Sequence, residues 1–188
     1  MSTIDRNTPP YYFALTTEIE ELCNNVNSPV VLDGKEIKAD NFLPARARSK
    51  DTGYDVRCAE PKGLDLIPGC YFKMRLGFRM FAPDGWWLSL APRSGTFINH
   101  NIHALYGVID ETYENEMCFV GQYVPDVNKL LSNTQRVKIA FGQRIAQVIP
   151  CPRWEMPVVK LTNEEIEARY KDRGDLRGIG GFNSSGIA

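Results

Sequence analysis

A strict alternation of apolar and polar residues constrains the fold of this chain more than any other feature. From Phe72 to Met80, apolar side chains stand at every second position, with lysine, arginine and glycine between them. That period is typical of a strand with one buried face. The alternation resumes at 86–90 after a Pro-Asp-Gly turn, so residues 71–91 are predicted to form a hairpin. A second strand–turn–strand unit is predicted at 137–149.

Two segments instead show the periodicity of a helix. In residues 16–26, Thr17 and Glu20 fit a capping box that precedes apolar residues at helical spacing. Thr162 and Glu165 fit a second capping box, which opens a helical pattern that ends near residue 171. Because strands and helices do not alternate regularly, we expect an all-β sandwich or barrel with short helices added to it.

Charge and cysteine content exclude several classes of protein. The 188 residues include 22 basic and 23 acidic side chains, a net charge of −1, which argues against a protein that coats nucleic acid. No apolar run approaches the roughly 18 residues of a membrane helix, and the polar opening is not typical of a secretory signal. The five cysteines form no C-x-x-C pair, which favours a reducing, intracellular setting.

Three short segments carry residue types suited to phosphate chemistry. Arg93, Ser94 and Gly95 end an apolar strand and could hold a phosphate, although a plain turn has the same composition. Asp110 follows another apolar run and could act as a general base, or could simply form a turn. The glycine-rich segment 177–186 could cradle phosphates or be a linker. His100 and His103 lack a third ligand nearby and are a poor zinc site.

In order along the chain, these segments resemble the five-motif pattern of the trimeric dUTPases, over about residues 42–188. The motifs correspond to residues 51–56, 92–95, 107–116, 142–149 and 177–186. The resemblance implies an enzyme that hydrolyses dUTP to dUMP and pyrophosphate, with Asp110 activating the water that attacks the α-phosphorus. The substrate-binding residues that it implies are Arg93, Ser94, Gly95, Ala104, Gly107, Tyr113, Gln147, Arg177, Gly181, Phe182 and Ser184.

The resemblance also implies a cofactor and an assembly. Mg²⁺ is expected to be held by the triphosphate and water, with no direct protein ligand and with Asp55 contributing through water. The implied fold is a distorted jelly-roll β-barrel with short helices, in a homotrimer that exchanges its C-terminal arm. The expected divisions are an N-terminal extension at 1–40, the barrel at 41–171 and the arm at 172–188, with an insertion at 125–135. A cytoplasmic location is expected, and an organelle or the nucleus is also compatible.

The partners expected are a deoxynucleoside triphosphate and two further copies of the chain, with neither nucleic acid nor a membrane. Departures from the family pattern are Thr112, Asn115, Asn183, Ser185 and the stretch 104–106, which precedes the third motif and reads the base in the family. They leave open the hydrolysis of dCTP or a modified dUTP, and a regulator that binds nucleotide without turnover. Deamination is disfavoured, because residues 119–121 lack the acid of the related deaminases.

Overall fold

The computed structural model describes residues 9–125 and 136–173. The chain divides into two units, Met1–Arg153 and Trp154–Ala188. The described strands are β1 (Tyr12–Leu15), β2 (Val31–Leu32), β3 (Lys35–Glu36), β4 (Tyr54–Arg57), β5 (Leu64–Leu66), β6 (Tyr71–Arg75), β7 (Phe78–Phe81), β8 (Trp86–Pro92), β9 (Ile102–Ala104), β10 (Gly107–Ile109), β11 (Cys118–Tyr123), β12 (Val137–Ile139) and β13 (Arg144–Pro152). The helices are α1 (Thr17–Cys23), α2 (Ser94–His100) and α3 (Asn163–Arg173), and Ala39–Phe42 forms a 3-10 turn. The predicted all-β class is confirmed.

All the described strand pairs of the first unit are antiparallel. The largest sheet has the order β10-β8-β13-β4, and a three-stranded sheet has the order β6-β11-β9. Three smaller sheets pair β1 with β7, β5 with β12 and β2 with β3. The last pair is a hairpin whose turn residues, Asp33 and Gly34, both have positive φ, as a two-residue hairpin turn requires.

Two apolar clusters support the first unit. The larger one includes the fully buried Met74, Phe78, Phe119 and Ile145, contributed by strands of several sheets. The smaller cluster, which we call the α1 cluster, lies where helix α1 meets the 3-10 turn; its buried members are Ile19, Cys23, Ile37, Ala39, Phe42 and Ala59. Strand β1 and helix α1 therefore pack as part of the first unit. The proposed boundaries at residues 40 and 171 stay a prediction.

The predicted hairpin at 71–91 is wrong. Strand β6 ends at Arg75, and Gly77 turns the chain with a φ of +78° before β7 begins. Strand β7 pairs with β1, whereas β8 pairs with β10 and β13. Alternation records which face of a strand is buried, and it carries no information on which strand lies beside it.

The second predicted unit, at 137–149, is present as two strands with a turn between them, and these two strands do not pair with each other. Strand β12 pairs with β5, and β13 pairs with β4 and β8. Gly142, with a φ of +78°, turns the chain between them. The turn signal was correct, and the strands that it separates belong to different sheets.

Both predicted helices are present, and only the second begins with its predicted capping box. The capping box at Thr17 is wrong, because the N-cap of α1 is Thr16, whose carbonyl accepts the N–H of Ile19 and of Glu20 at 3.0 and 3.2 Å. The capping box of α3 is confirmed: the N–H of Glu165 donates to Oγ1 of Thr162 at 3.2 Å, and the N–H of Thr162 donates to Oε2 of Glu165 at 2.7 Å. No helix among the described residues is both long and apolar enough to cross a membrane.

Candidate active site

Asp55 joins three of the sequence motifs at one end of the largest sheet. It lies on β4 opposite Gln147 of β13, and its side chain is 15% exposed. Nε of Arg93 lies 2.9 Å from Oδ1 of Asp55, and Nη1 of Arg144 lies 3.3 Å from Oδ2. Each carboxylate oxygen thus has a guanidinium partner. We call Asp55, Arg93, Arg144 and Gln147 the Asp55 cluster.

Gln147 is fixed by contacts on both sides. Its Nε2 donates to the carbonyl of Pro92 at 3.1 Å. A Cβ atom at Gly53 would lie 2.0 Å from Oε1 of Gln147, which is closer than any non-bonded pair can approach. Glycine is therefore required at position 53 for the glutamine to occupy this place.

Arg93, Ser94 and Gly95 mark the transition from β8 into helix α2. Arg93 is the N-cap residue in extended conformation, and Ser94 begins the helix as an exposed residue. The buried hydroxyl of Thr96 donates to the carbonyl of Ile145, which attaches the start of α2 to strand β13. The segment predicted to hold a phosphate is therefore fixed to the sheet that carries the Asp55 cluster.

A polar cleft of about 470 Å³ lies beside this cluster, and its charged lining is mostly basic. The ionisable residues among its lining are Asp33, Lys35, Arg57, Arg93, His100 and Arg144. Arg57 donates to the carbonyls of Asn41 and Gly142 at 2.9 and 2.6 Å. Burial, followed by the positive charge of Arg144, lowers the pKa of Arg57. The cleft thus has the electrostatic character of an anion site.

Asp110 lies directly after β10 and is exposed. The N–H of Tyr113 donates to its carbonyl at 3.1 Å, which closes a turn over residues 110–113. Within the described ranges, the Asp110 carboxylate has no hydrogen-bond or ion-pair partner. The ring of Tyr113 packs half-buried against the larger core cluster, and its hydroxyl donates to the carbonyl of Glu116 at 3.1 Å.

Glu111, the next residue, has the partners that Asp110 lacks. Its carboxylate accepts the N–H of Gly85 and the guanidinium of Arg153, each at 2.7 Å. The Gly85 N–H, with a further contribution from Arg153, lowers the pKa of Glu111. The loop that carries Asp110 is therefore attached to the 83–85 turn and to the end of β13.

Ala104 and Gly107 flank a short connection between β9 and β10. Ala104 lies opposite Gly121, and Gly107 lies opposite Leu90. A Cβ at Gly107 would approach the Cβ of Leu90 to 2.9 Å, so this strand pair is tightly packed. The two residues between them, 105 and 106, are 63% and 86% exposed.

The two groups of predicted site residues lie at opposite ends of strand β8. Ile109 is opposite Leu88 in the antiparallel register, which places Asp110 at the level of Trp87. Arg93 lies six positions further along the chain, a separation of about 20 Å at the rise of a β-strand. The structure thus brings together Asp55, Arg93, Ser94, Gly95, Arg144 and Gln147, and keeps Asp110 and Tyr113 apart from them within one chain.

The remaining candidates have separate outcomes. Arg177, Gly181, Phe182 and Ser184, predicted from the tail, lie outside the described residues, as do residues 126–135 of the predicted insertion. Nε2 of His100 lies 3.1 Å from Nε2 of Gln143. The ring of His103 meets Phe97 edge-on, with the centroids 5.0 Å apart.

Sequence reasoning did not single out Arg144, Arg57, Glu111 and Arg153. Arg144 stands in the fourth motif, so its position was a usable signal. Glu111 and Arg153 are 42 residues apart, and neither stands in a pattern that indicates the other.

Asp55 is the acid that could contribute to a magnesium site at this end of the sheet. No group of three or more His, Cys, Asp or Glu side chains suited to a metal occurs in the part of the chain that the structure describes. Asp55, the acid of the cluster, has a guanidinium on each oxygen. A phosphate-bound ion could reach Asp55 through water, whereas a metal cage made by the protein has no set of ligands here.

Fold and site together define the class: an all-β protein of small antiparallel sheets with an arginine-flanked polar cluster at a strand end. Residues 40–185 match the model of the dUTPase family. The chain is 32% identical over 152 residues to the deoxyuridine 5′-triphosphate nucleotidohydrolase of Cutibacterium acnes, covering 78% of this chain and 86% of that relative. The chain belongs to the dUTPase family.

Solved structures show the same fold. A variant of the dUTPase of phage 80alpha has a TM-score of 0.64 at 21% identity, covering 94% of this chain and 99% of that one. Another variant of the Staphylococcus bacteriophage 80alpha dUTPase, solved with dUpNHpp, has a TM-score of 0.58 at 23% identity, covering 77% and 92%. The predicted jelly-roll type of fold is confirmed by these similarities.

Proposed function

We propose that this chain hydrolyses dUTP to dUMP and pyrophosphate, with Asp110 as the general base. The observation that carries the proposal is the exposed Asp110 carboxylate, without a partner among the described residues and three residues before the half-buried Tyr113 ring. A carboxylate in that state can accept a proton from water, and a flat ring beside it suits a sugar face. The dUTPase relatives of this chain support dUTP as the substrate.

In the proposed reaction, Asp110 orients a water and takes one of its protons as the water oxygen bonds to the α-phosphorus. The bond from that phosphorus to the bridging oxygen of the β-phosphate breaks, and pyrophosphate leaves with the electron pair. Arg93, Ser94, Gly95 and Gln147 bind and orient the phosphates. Magnesium, when bound with the triphosphate, supplies charge neutralisation on the phosphate oxygens.

The separation along β8 supports a site shared between copies of the chain. Because about 20 Å of strand lies between Asp110 and Arg93, one copy does not offer the base and the phosphate-binding residues to the same α-phosphorus. A homotrimer, with the base from one copy and the Asp55 cluster from a second, resolves this geometry. We assign Arg177, Gly181, Phe182 and Ser184 to a tail, residues 172–188, that a third copy donates.

A second substrate is favoured by one observation. Leu105 and Tyr106 are exposed, in the connection that precedes β10, where the family pattern places the reader of the base. Large side chains at that place could admit dCTP or a modified uracil beside dUTP.

An intracellular location is proposed from the five free thiols, all of which lie within the described residues.

A panel of deoxynucleoside triphosphates, scored for pyrophosphate and ammonia with Mg²⁺ present, tests the proposal. We expect pyrophosphate from dUTP without ammonia. The Asp110→Asn variant should bind dUpNHpp as the parent does and lose about 10²–10⁴-fold in kcat. Asp65→Asn, which removes an exposed carboxylate on β5, is the matched control and should keep full activity. The proposed function would be contradicted if none of the deoxynucleoside triphosphates released pyrophosphate, or if the Asp110→Asn variant were as active as the parent.

A further inference from the structure

The carboxylate of Asp110 takes its direction from the backbone beneath it. Asp110 and Tyr113 are the first and last residues of a four-residue turn closed by a 3.1 Å hydrogen bond. Since the Asp110 carboxylate has no hydrogen-bond or ion-pair partner among the described residues, its direction depends chiefly on this turn. Whatever fixes the turn therefore fixes the base relative to its neighbours.

Glu111, the second residue of the turn, is tied to two other segments of the chain. Oε2 accepts the N–H of Gly85 and Oε1 accepts a guanidinium N–H of Arg153, both at 2.7 Å. The N–H of Arg153 in turn donates to the carbonyl of Gly85 at 2.7 Å. These three bonds form a closed ring, which we call the Glu111 clamp, joining the 110–113 turn, the 83–85 turn and the residue after β13.

The clamp is more than an exposed ion pair. Exposed pairs contribute little, because water and salt compete for both partners. Here the Glu111 side chain is 23% exposed, and each of its oxygens accepts a short hydrogen bond from a different partner. Charge-assisted bonds of this length are among the stronger ones in proteins. The Gly85 N–H and the Arg153 guanidinium lower the pKa of Glu111, as expected for bonds that favour the ionised carboxylate.

We propose that Glu111 is a positioning residue, which holds the 110–113 turn so that Asp110 faces the attacking water. The proposal rests on the proposed function, in which Asp110 is the base. Glu111 itself touches neither substrate nor water in this role. Its effect is on kcat, because a base displaced by about 1 Å can cost on the order of 10²-fold in rate while the substrate still binds.

The test compares Glu111→Ala with Glu114→Ala in the same dUTP assay. Glu114 is an exposed acid three residues further along the chain, so it controls for the loss of a negative charge near the turn. We expect kcat to fall about 10- to 100-fold in Glu111→Ala, with the Kd for dUpNHpp within about threefold of the parent. Glu114→Ala should match the parent in both. Glu111→Gln, which keeps an oxygen for the Gly85 N–H, should recover part of the lost kcat.

Arg153→Met supplies a second measurement that a merely stabilising role would not reproduce. If Glu111 and Arg153 act through one clamp, the double variant Glu111→Ala/Arg153→Met should be no slower than Glu111→Ala alone. The proposal is overturned if the fold-loss of kcat in the double variant equals the product of the losses in the two single variants. An unchanged kcat in Glu111→Ala would also overturn it. A loss of dUpNHpp affinity equal to the loss of kcat would also overturn it. A parent protein that releases no pyrophosphate refutes the proposed function instead, so the two failures are distinguishable.

Discussion

Asp55 shows how a nearly neutral chain can make a local anion site. Its carboxylate lies between Arg93 and Arg144, which belong to motifs far apart in the sequence. The side chains of Arg93 and Arg144 are 39% and 46% exposed, respectively, so a phosphate can reach the outer face of either guanidinium. The aspartate holds the two cations in place and offsets part of their mutual repulsion.

Replacing Asp55 with asparagine should therefore destabilise the fold. Two neighbouring guanidiniums lose their shared counter-charge, and we expect a loss of roughly 1–2 kcal/mol in the free energy of unfolding. Urea unfolding at low salt measures it. Asp65→Asn, which breaks the more exposed pair with Arg136, is the control and should cost at most about 0.5 kcal/mol. Equal losses in the two variants would contradict this account.

Gly53 is a second residue whose identity is constrained by a neighbouring side chain. In Gly53→Ala the new methyl group would occupy the place of Oε1 of Gln147, so the glutamine must leave its bond to Pro92. We expect KM for dUTP to rise about tenfold or more, since a phosphate contact is lost at a cost of roughly 1.5 kcal/mol. Steady-state kinetics measure it, with Thr52→Ala as the exposed neighbouring control. Parent kinetics in Gly53→Ala would show that Gln147 does not contact substrate.

The motifs predicted candidate site residues, and they could not predict how those residues are connected. Asp55, Arg93 and Gln147 were identified from their places in the motifs. The pairing of Asp55 with two arginines, and the requirement for glycine at 53, arise from strand register across β4, β13 and β8. Register depends on pairing between distant segments, so no local pattern contains it.

At the scale of elements, strand β1 shows why pairing was mispredicted. The alternation at 72–80 continues through Gly77 without interruption, although the chain turns there and β7 leaves to pair with β1. The partner strand lies some 60 residues earlier, in a segment that sequence patterns marked only as an extension. A contact of that separation is invisible to periodicity, whereas the capping box of α3, which is local, was predicted correctly.

Tyr11 attaches the start of β1 to the largest sheet, and we expect this attachment to be lost at alkaline pH. Its hydroxyl donates to the carbonyl of Trp87 at 3.1 Å. Burial, followed by the charge of Cys151, raises the pKa of Tyr11 to about 12. Because the folded pKa lies above the unfolded value of about 10, its contribution to stability is complete below pH 10 and is lost as the pH rises toward 12.

The variant Tyr11→Phe should therefore be less stable than the parent at pH 8, by about 1 kcal/mol for the lost hydrogen bond. The difference should shrink between pH 10 and 12, as the parent loses the contribution of the phenol. Urea unfolding over this pH range measures both. Tyr106→Phe, at a side chain 86% exposed, should follow the parent throughout. A constant difference between Tyr11→Phe and the parent would contradict the assigned pKa.

At the scale of the whole molecule, the proposed trimer builds each site from one end of β8 in one copy and the other end of β8 in a second copy. A variant that lacks the base still offers its Asp55 cluster, and a variant that lacks the cluster still offers its base. The proposed trimer thus predicts that two impaired variants can restore each other.

We expect Asp110→Asn, which is nearly inactive, and Gln147→Ala, which keeps about a tenth of the parental activity at dUTP below KM, to recover about a quarter of the parental activity when they are refolded together in equal amounts. One quarter is the share of sites that draw an intact base from one variant and an intact cluster from the other under random mixing. Pyrophosphate release measures the recovery. Arg93→Ala mixed with Gln147→Ala, in which both variants are damaged at the same end, should gain no activity over its two components. An Asp110→Asn/Gln147→Ala mixture that gains no activity over its components would place the base and the cluster in one copy.

Gly77 joins two parts of the first unit through its own backbone. Its N–H donates to Oε1 of Glu116, and its carbonyl accepts the N–H of Thr16; a Cβ there would lie 2.7 Å from Ile19. If the chain were shortened to the barrel, the carbonyl of Gly77 would lose its hydrogen-bond donor. Buried members of the α1 cluster, including Phe42 and Ala59, would then be exposed to water. A minimal version of this protein would thus need a redesigned surface there, because residues 15–23 cover these apolar side chains.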